Sequence, residues 1–244
     1  MQELPKVVDT HGWHWKPYSV GIKDFWIGQD PVGRKWMTKL RGAERAYREI
    51  VFARLAQAMN WSCQSSIFIA LDEESMALLK PECGRFHAAH FFLEEHQYSP
   101  CGIECPLAEG FPRNKHVEEV LKTKIARLID WPKAELAVYL FGGSEPPEKF
   151  FTPSHEFVMI DNELMFAQGP ERFDTSEWWE TAAGKHLAFQ ICQEFLALPD
   201  AVVKQALEAT EFVDREMSDW VASCLADSKR FAARFCAQHK WLRP

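Results

Sequence analysis

Gly33-Arg-Lys-Trp-Met-Thr-Lys-Leu40 and, three residues on, Ala43-Glu-Arg-Ala-Tyr-Arg-Glu-Ile-Val-Phe-Ala-Arg-Leu-Ala56 decide how this chain is read. The first run is aromatic and branched, as strands are, and follows the turn cluster Gln29-Asp30-Pro31-Val32-Gly33. With Gly21-Ile-Lys-Asp-Phe-Trp-Ile-Gly28 before it, the pattern predicts a β-hairpin. From Ala43 the spacing becomes helical: Tyr47, Ile50, Val51, Arg54, Leu55 and Met59 recur on successive turns until Asn60-Trp61.

Outward from this unit, residues 1–20 mix Pro, Gly, His and Trp without period and read as an irregular arm, with a strand entering near Ser19. Ser65 to Leu71 reads as a strand, Glu73 to Leu79 as a short helix and Phe86 to Leu93 as a further strand. Past Pro112, Val117, Val120, Leu121, Ile125 and Leu128 give a helical period over His116 to Leu128, and Lys133 to Phe141 gives another. A loop at Gly142-Gly-Ser-Glu-Pro-Pro147 precedes the short apolar run Phe157-Val-Met-Ile160. Ser176 to Trp241 is helical in pattern, broken at Leu198-Pro199. The predicted class is α+β, with a β-rich lobe over 1–108, a mostly helical lobe over 109–244, and a hinge near Cys105 to Asn114.

The chain has 244 residues, 47% of them hydrophobic, with ten Trp and eighteen Phe, enough to fill a real core. It holds no run of about 18 uncharged apolar residues, and its first residues lack a signal-peptide layout, so a cytoplasmic protein with no membrane contact is expected. Seven scattered Cys argue for reduced thiols or metal ligands over a disulfide framework. A net charge of −7, with no local basic patch, argues against direct nucleic-acid binding.

Three charged residues stand in an order that carries chemistry. Lys39 ends a strand, Glu49 lies ten residues later in the helix, and Asp161 follows Phe157-Val-Met-Ile160. A two-lobe kinase needs a strand Lys against the nucleotide phosphates, a helix Glu to hold that Lys, and an acidic metal ligand after a later strand. Glu163, two residues beyond Asp161, puts a second carboxylate within reach of the same hard cation. Taken singly, a strand-end Lys is more often a solvated charge and a helix Glu more often on the wet face. Asp161-Asn162 is also a natural turn.

Gly33-Arg-Lys-Trp-Met-Thr-Lys39, Tyr47-Arg-Glu-Ile-Val-Phe-Ala-Arg-Leu-Ala56 and Ile160-Asp-Asn-Glu-Leu-Met-Phe166 together resemble the HipA-like kinases, a branch related in fold to the phosphatidylinositol kinases. In that family a strand Lys is followed by an Asn-Glu or Arg-Glu helix, and a late Ile-Asp precedes a small pair and an apolar turn. The similarity of order runs roughly from Ser19 to Asp200 and implies a two-lobe protein-kinase-like fold that binds ATP and Mg²⁺. Carried over, Lys39 would contact the phosphates, Glu49 would orient Lys39, and Asp161, with Glu163, would bind the metal. The strand ending Phe92-Leu-Glu94-Glu95 would be the adenine hinge.

The chain departs from the family in the catalytic loop, where the family has Gly-Asn-x-Asp-Arg-His-x-x-Asn and this sequence has Gly142-Gly-Ser-Glu-Pro-Pro-Glu-Lys-Phe150. Glu145 then stands for the Asp, Pro147 for the His and Phe150 for the metal-binding Asn. Glu145 or Glu148 would orient an acceptor hydroxyl, since reach within hydrogen-bond distance is what that role requires. A Phe cannot bind a metal. Two readings follow: an active kinase passing the γ-phosphoryl to a protein or small-molecule hydroxyl, or a pseudokinase serving as an interaction module of toxin–antitoxin or defence type.

A second constellation is His87-Ala-Ala-His90 through His96 to Cys101 and Cys105. Zinc takes four N or S ligands, so His96, Cys101 and Cys105 would supply three, with Cys83, His87 or His90 as the fourth. His87 and His90 lie an odd number apart, and on a strand they face opposite ways. Cys63, Cys192, Cys224 and Cys236 read as packing thiols.

Overall fold

The computed structural model describes residues 7–20, 23–91, 97–98, 130–151, 157–160, 162–173, 182–208 and 213–242. Among these, six strands make one sheet: β1 (Val8–Asp9), β2 (His14–Val20), β3 (Lys23–Gln29), β4 (Lys35–Thr38), β5 (Ser66–Ala70) and β6 (Phe86–Phe91). The spatial order is β1-β5-β6-β4-β3-β2, all antiparallel neighbours except the parallel β1–β5 pair. The hairpin of β3 and β4 forms as its turn chemistry predicts. Asp30 accepts the backbone N–H of Val32 and of Arg34, at 3.1 and 2.8 Å, and closes the loop.

Residues 8–20 are not an irregular arm. They supply both edge strands, β1 and β2. Pro17 disguises β2, because a proline cannot donate to a ladder; on an edge that costs nothing, and Pro17 sits opposite Trp26. Trp13, Trp15, Trp36 and Phe91 then pack on the sheet's outer face with Leu79 and Met76 of α2 (Glu73–Leu79). The crowding demands Gly28, where a Cβ would lie 2.6 Å from both Trp13 and Trp15.

The inner face carries α1 (Ala43–Ala58), nine of whose residues are buried. A helix apolar on most of its circumference must be covered on more than one side. On one side is the sheet. On the other are α3 (Asp130–Phe141), α4 (Ala182–Leu196), α5 (Asp200–Leu207) and α6 (Arg215–Gln238). One continuous core joins Tyr47, Ile50 and Phe52 of α1 to Phe141, Phe195 and Phe235 of these helices. Tyr47 Oη also donates to the Leu207 carbonyl at 3.1 Å.

A second, three-stranded sheet, β7 (Gln97–Tyr98), β8 (Glu148–Phe151) and β9 (Phe157–Ile160), follows the order β7-β8-β9. The sequence reading found β9 but took Gly142 to Phe150 as one loop, and β8 is the correction. Two prolines precede β8 and a third, Pro153, follows it, which masks the hairpin it makes with β9, while its other partner, β7, lies about 50 residues earlier in the chain. The helix expected over 116–128 lies outside the described residues. No helix among those described is long and apolar enough to cross a membrane.

Candidate functional site

β4 leads through Lys39 and the left-handed Leu40 (φ 55°) to Gly42 (φ 86°), where α1 starts without a side-chain cap. Gly42 is required there, since a Cβ would meet that of Cys83 at 2.7 Å. On the far side, beyond β9, residues 163–166 form a turn that ends on Phe166, also left-handed (φ 57°). A non-glycine residue in this region costs about 1–3 kcal/mol and must be held by its surroundings. Phe166 is held by full burial against Phe141, its ring 5.9 Å away. Both strained residues therefore flank the two candidate stretches.

The fold brings those stretches together. Glu49 Oε1 accepts the Asn162 N–H at 3.1 Å, and Arg45 Nη1 donates to Glu163 Oε1 at 3.0 Å. Arg41 lies 4.0 Å from the same carboxylate oxygen. The two contacts span 113 and 118 residues of chain. Glu49 and Glu163 are both buried, whereas Arg41 and Arg45 are exposed over 55% and 46% of their side chains. Lys39 leaves β4 on the inner face, with Nζ 5.7 Å above the Phe25 ring.

Glu49 does not hold Lys39. Its side-chain partners are the Asn162 amide and His90 Nε2, 3.1 Å away, and no ion pair joins it to Lys39 among the described residues. The reason is register. His90 is the cross-strand neighbour of both Met37 and Ser66, so it projects from β6 straight at α1. Sequence reasoning named His90 only as a zinc candidate and missed Arg41, Arg45 and Asn162; the basic run Arg41-Gly-Ala-Glu-Arg45 is the signal that was there to use.

Asn162 is pinned twice. Its amide reaches Glu49, and its Nδ2 lies 3.5 Å from Cys63 Sγ, a thiol that burial pushes up to about 12. Its Oδ1 is buried with no donor among the described residues. A buried, unanswered amide oxygen is a hard donor of the kind a divalent cation prefers, and Asp161 and Glu163 flank Asn162 in sequence; among the described residues no group of three or more His, Cys, Asp or Glu forms a metal site, so the fit rests on Asn162 Oδ1. Glu163 fits less simply, because two guanidinium groups already face it.

Glu145 is exposed on the loop after Gly142. Glu148 opens β8 opposite Ile160, so register sets it beside the residue that precedes Asp161. Phe150 lies in β8 against Val158 and not in a loop. Asp161, Phe92, Glu94, His96, Cys101 and Cys105 lie outside the described residues. Of the proposed fourth zinc ligands, His87 and His90 do face opposite ways. Both rings are fully engaged: His87 between the Gly42 N–H and the Gly84 carbonyl, His90 between Ser66 and Glu49.

The architecture is similar to that of solved proteins. The crystal structure of a Helicobacter pylori proinflammatory kinase, CtkA, matches with a TM-score of 0.56 at 8% identity, over 93% of this chain and 98% of that one. The fold is kinase-like. A Golgi casein kinase matches at a TM-score of 0.49 and 12% identity, over 92% of this chain and 73% of that one. HipA, from the Shewanella oneidensis HipA, HipB and operator DNA complex, matches at 0.48 and 11%, over 91% of this chain and 63% of that one. No protein-family model matches the sequence, and no curated protein does. The likeness is one of fold: a β-rich N-terminal region followed by a helical one.

Proposed function

We propose that the chain binds ATP with a divalent metal where the start of α1 meets the turn after β9, and passes the γ-phosphoryl group to a hydroxyl of a protein or small molecule. The observation that carries this is the paired contact of Glu49 with Asn162 and of Arg45 with Glu163, which joins the two expected half-sites. Lys39, Arg41 and Arg45 place three cations within seven residues around the uncapped N-terminus of α1, a setting that favours polyphosphate. Mg²⁺ would be held by Asp161 and Asn162 Oδ1, with Glu163 joining only by giving up Arg45. It would neutralise charge on the phosphates.

In the transfer, the bond from the γ-phosphorus to its bridging oxygen breaks and a bond to the acceptor oxygen forms. The acceptor proton goes to Glu145 or Glu148, and ADP leaves with the bridging electrons. One observation favours binding without transfer: Phe150 is a strand residue where the resembled family has a metal-binding Asn. A nucleotide-bound interaction module is then the second reading.

Thermal melting with ATP and Mg²⁺, compared with Lys39→Ala, tests binding, because a ligand selective for the native state raises the melting temperature. An unmoved wild-type transition at millimolar ATP sinks both readings. Where binding holds, labelled ATP separates them: label on the chain or on added protein supports transfer, and none supports the module. Metal analysis beside Cys101→Ser and Cys105→Ser addresses the proposed zinc, which sub-stoichiometric metal would end.

A further inference from the structure

Glu49 is surrounded as a bridge and not as a lysine clamp. Its Oε1 takes the Asn162 amide on one side and His90 Nε2 on the other, each at 3.1 Å. A carboxylate only accepts, so Nε2 must carry the ring proton. In the neutral ring Nδ1 then accepts from the Ser66 hydroxyl, 2.8 Å away. The relay Ser66–His90–Glu49–Asn162 thus runs from β5 through β6 and α1 to the residue next to Asp161. All four residues are buried. A buried carboxylate lacking donors is expensive, and two donors set about an angle hold it in one rotamer.

We propose that His90, with Ser66 behind it, is a positioning residue for the nucleotide site: it fixes Glu49 and, through Glu49, the backbone of the turn that carries Asp161. The role rests on the proposed function above. It assigns Glu49 to the turn after β9, through the Asn162 amide, in place of the lysine-holding role expected from the sequence. Nearby ties agree with a turn held by its backbone. Met159 N–H donates to the Ser62 carbonyl at 2.8 Å, and the Met159 carbonyl accepts from Gln64 N–H at 2.9 Å, so β9 is fixed just ahead of residue 161. Among the described residues, the Asn162 amide held by Glu49 is a further fixed point beyond β9.

The test uses the full chain with His90→Gln, His90→Leu, Ser66→Ala and Lys39→Ala, and two readouts. The first, amide hydrogen exchange at Asn162, needs no nucleotide. Losing a charge-assisted buried hydrogen bond should speed that amide about tenfold or more in His90→Leu. His90→Gln, whose Nε2 can replace the ring nitrogen, should stay within about twofold of wild type, and Ser66→Ala should fall between. The second readout is ATP affinity with and without Mg²⁺. In His90→Leu the gain that Mg²⁺ gives should shrink about tenfold with Mg-free affinity unchanged, and His90→Gln should restore it. Lys39→Ala should weaken both affinities alike.

Unchanged Asn162 exchange in both His90→Leu and Ser66→Ala overturns the relay. Faster exchange with an unaltered Mg²⁺ gain overturns the positioning role and leaves a structural contact. If wild type binds no nucleotide, the proposed function falls and the positioning role with it, while exchange still reports on the relay. Should His90→Leu unfold, Ser66→Ala decides by the same two outcomes.

Discussion

Gly42 gives its backbone N–H to His87 Nδ1 at 3.0 Å, and the other nitrogen of that ring lies 2.9 Å from the Gly84 carbonyl. The start of α1 thereby hangs from β6 through a fully buried imidazole. Both contacts suit the neutral ring, with Nδ1 accepting and Nε2–H donating. Burial pushes its pKa down to about 4, against a smaller upward pull from the Gly84 carbonyl. A group whose folded pKa lies below its unfolded value stabilises the fold above the unfolded value and loses that contribution as pH falls. Stability should therefore decline between about pH 6.5 and pH 4, by on the order of 2–3 kcal/mol. Denaturant midpoints across that window measure it, and His87→Gln should flatten the slope. An equal slope in the variant assigns the effect elsewhere.

Asp30 is the acidic counterpart. Burial alone would raise its carboxyl pKa, but the Arg34 side chain, the Trp36 indole and the Arg34 amide outweigh that and hold it below the usual carboxylate range. Its stabilising contribution is present above the unfolded pKa, about 3.9, and is lost as pH falls further. Asp30→Asn cannot accept from all four donors. We expect a loss of about 1–3 kcal/mol at pH 7 that narrows toward pH 3, read from chemical denaturation at both values.

Gly142 ends α3 in the left-handed region (φ 64°), and a Cβ there would sit 2.0 Å from the Gln168 carbonyl oxygen. That neighbour is backbone and cannot rotate away; the Gln168 N–H in turn donates to the Gly142 carbonyl at 2.9 Å. Gly142→Ala should cost on the order of 2–4 kcal/mol, from left-handed strain plus overpacking. A thermal midpoint within a degree or two of wild type contradicts the close approach.

Lys133, 6% exposed, reaches both oxygens of Glu194 at 3.1 and 3.2 Å, and Trp61 Nε1 and Gln190 Nε2 donate to the same carboxylate. Removing one charge from a shielded pair hurts more than removing both. Lys133→Met should lose roughly 1–3 kcal/mol, with Glu194→Gln in the same chain recovering part of it. A double-mutant cycle gives the coupling, and additivity of the two changes would deny the pair any role.

Arg45 answers the buried Glu163 charge while standing half in solvent. Arg45→Ala should weaken ATP binding roughly three- to tenfold, the defect fading as salt rises, as exposed charge contacts do. Titrations at low and high ionic strength read this. An affinity unaffected at low salt removes Arg45 from the phosphate site.

What the sequence settled alone was local. The Asp30 turn, the short helix from Glu73, the long period of α1 and the break at Leu198-Pro199 before α5 are each encoded within a few residues. The order of Lys39, Glu49 and Asp161 was enough to suggest a kinase-like fold. Tertiary structure decided the rest. Pro17 belongs to a strand because β2 is an edge, and β8 exists because β9 and β7 flank it. Glu49 turns to His90 and Asn162 because β6 register and the descent of β9 put donors there, from 41 and 113 residues away. Periodicity and capping are short-range and readable in a string. The partner of a buried charge depends on which distant groups packing leaves within hydrogen-bond reach of it, and α1, buried between sheet and helices, has its charges answered from both sides.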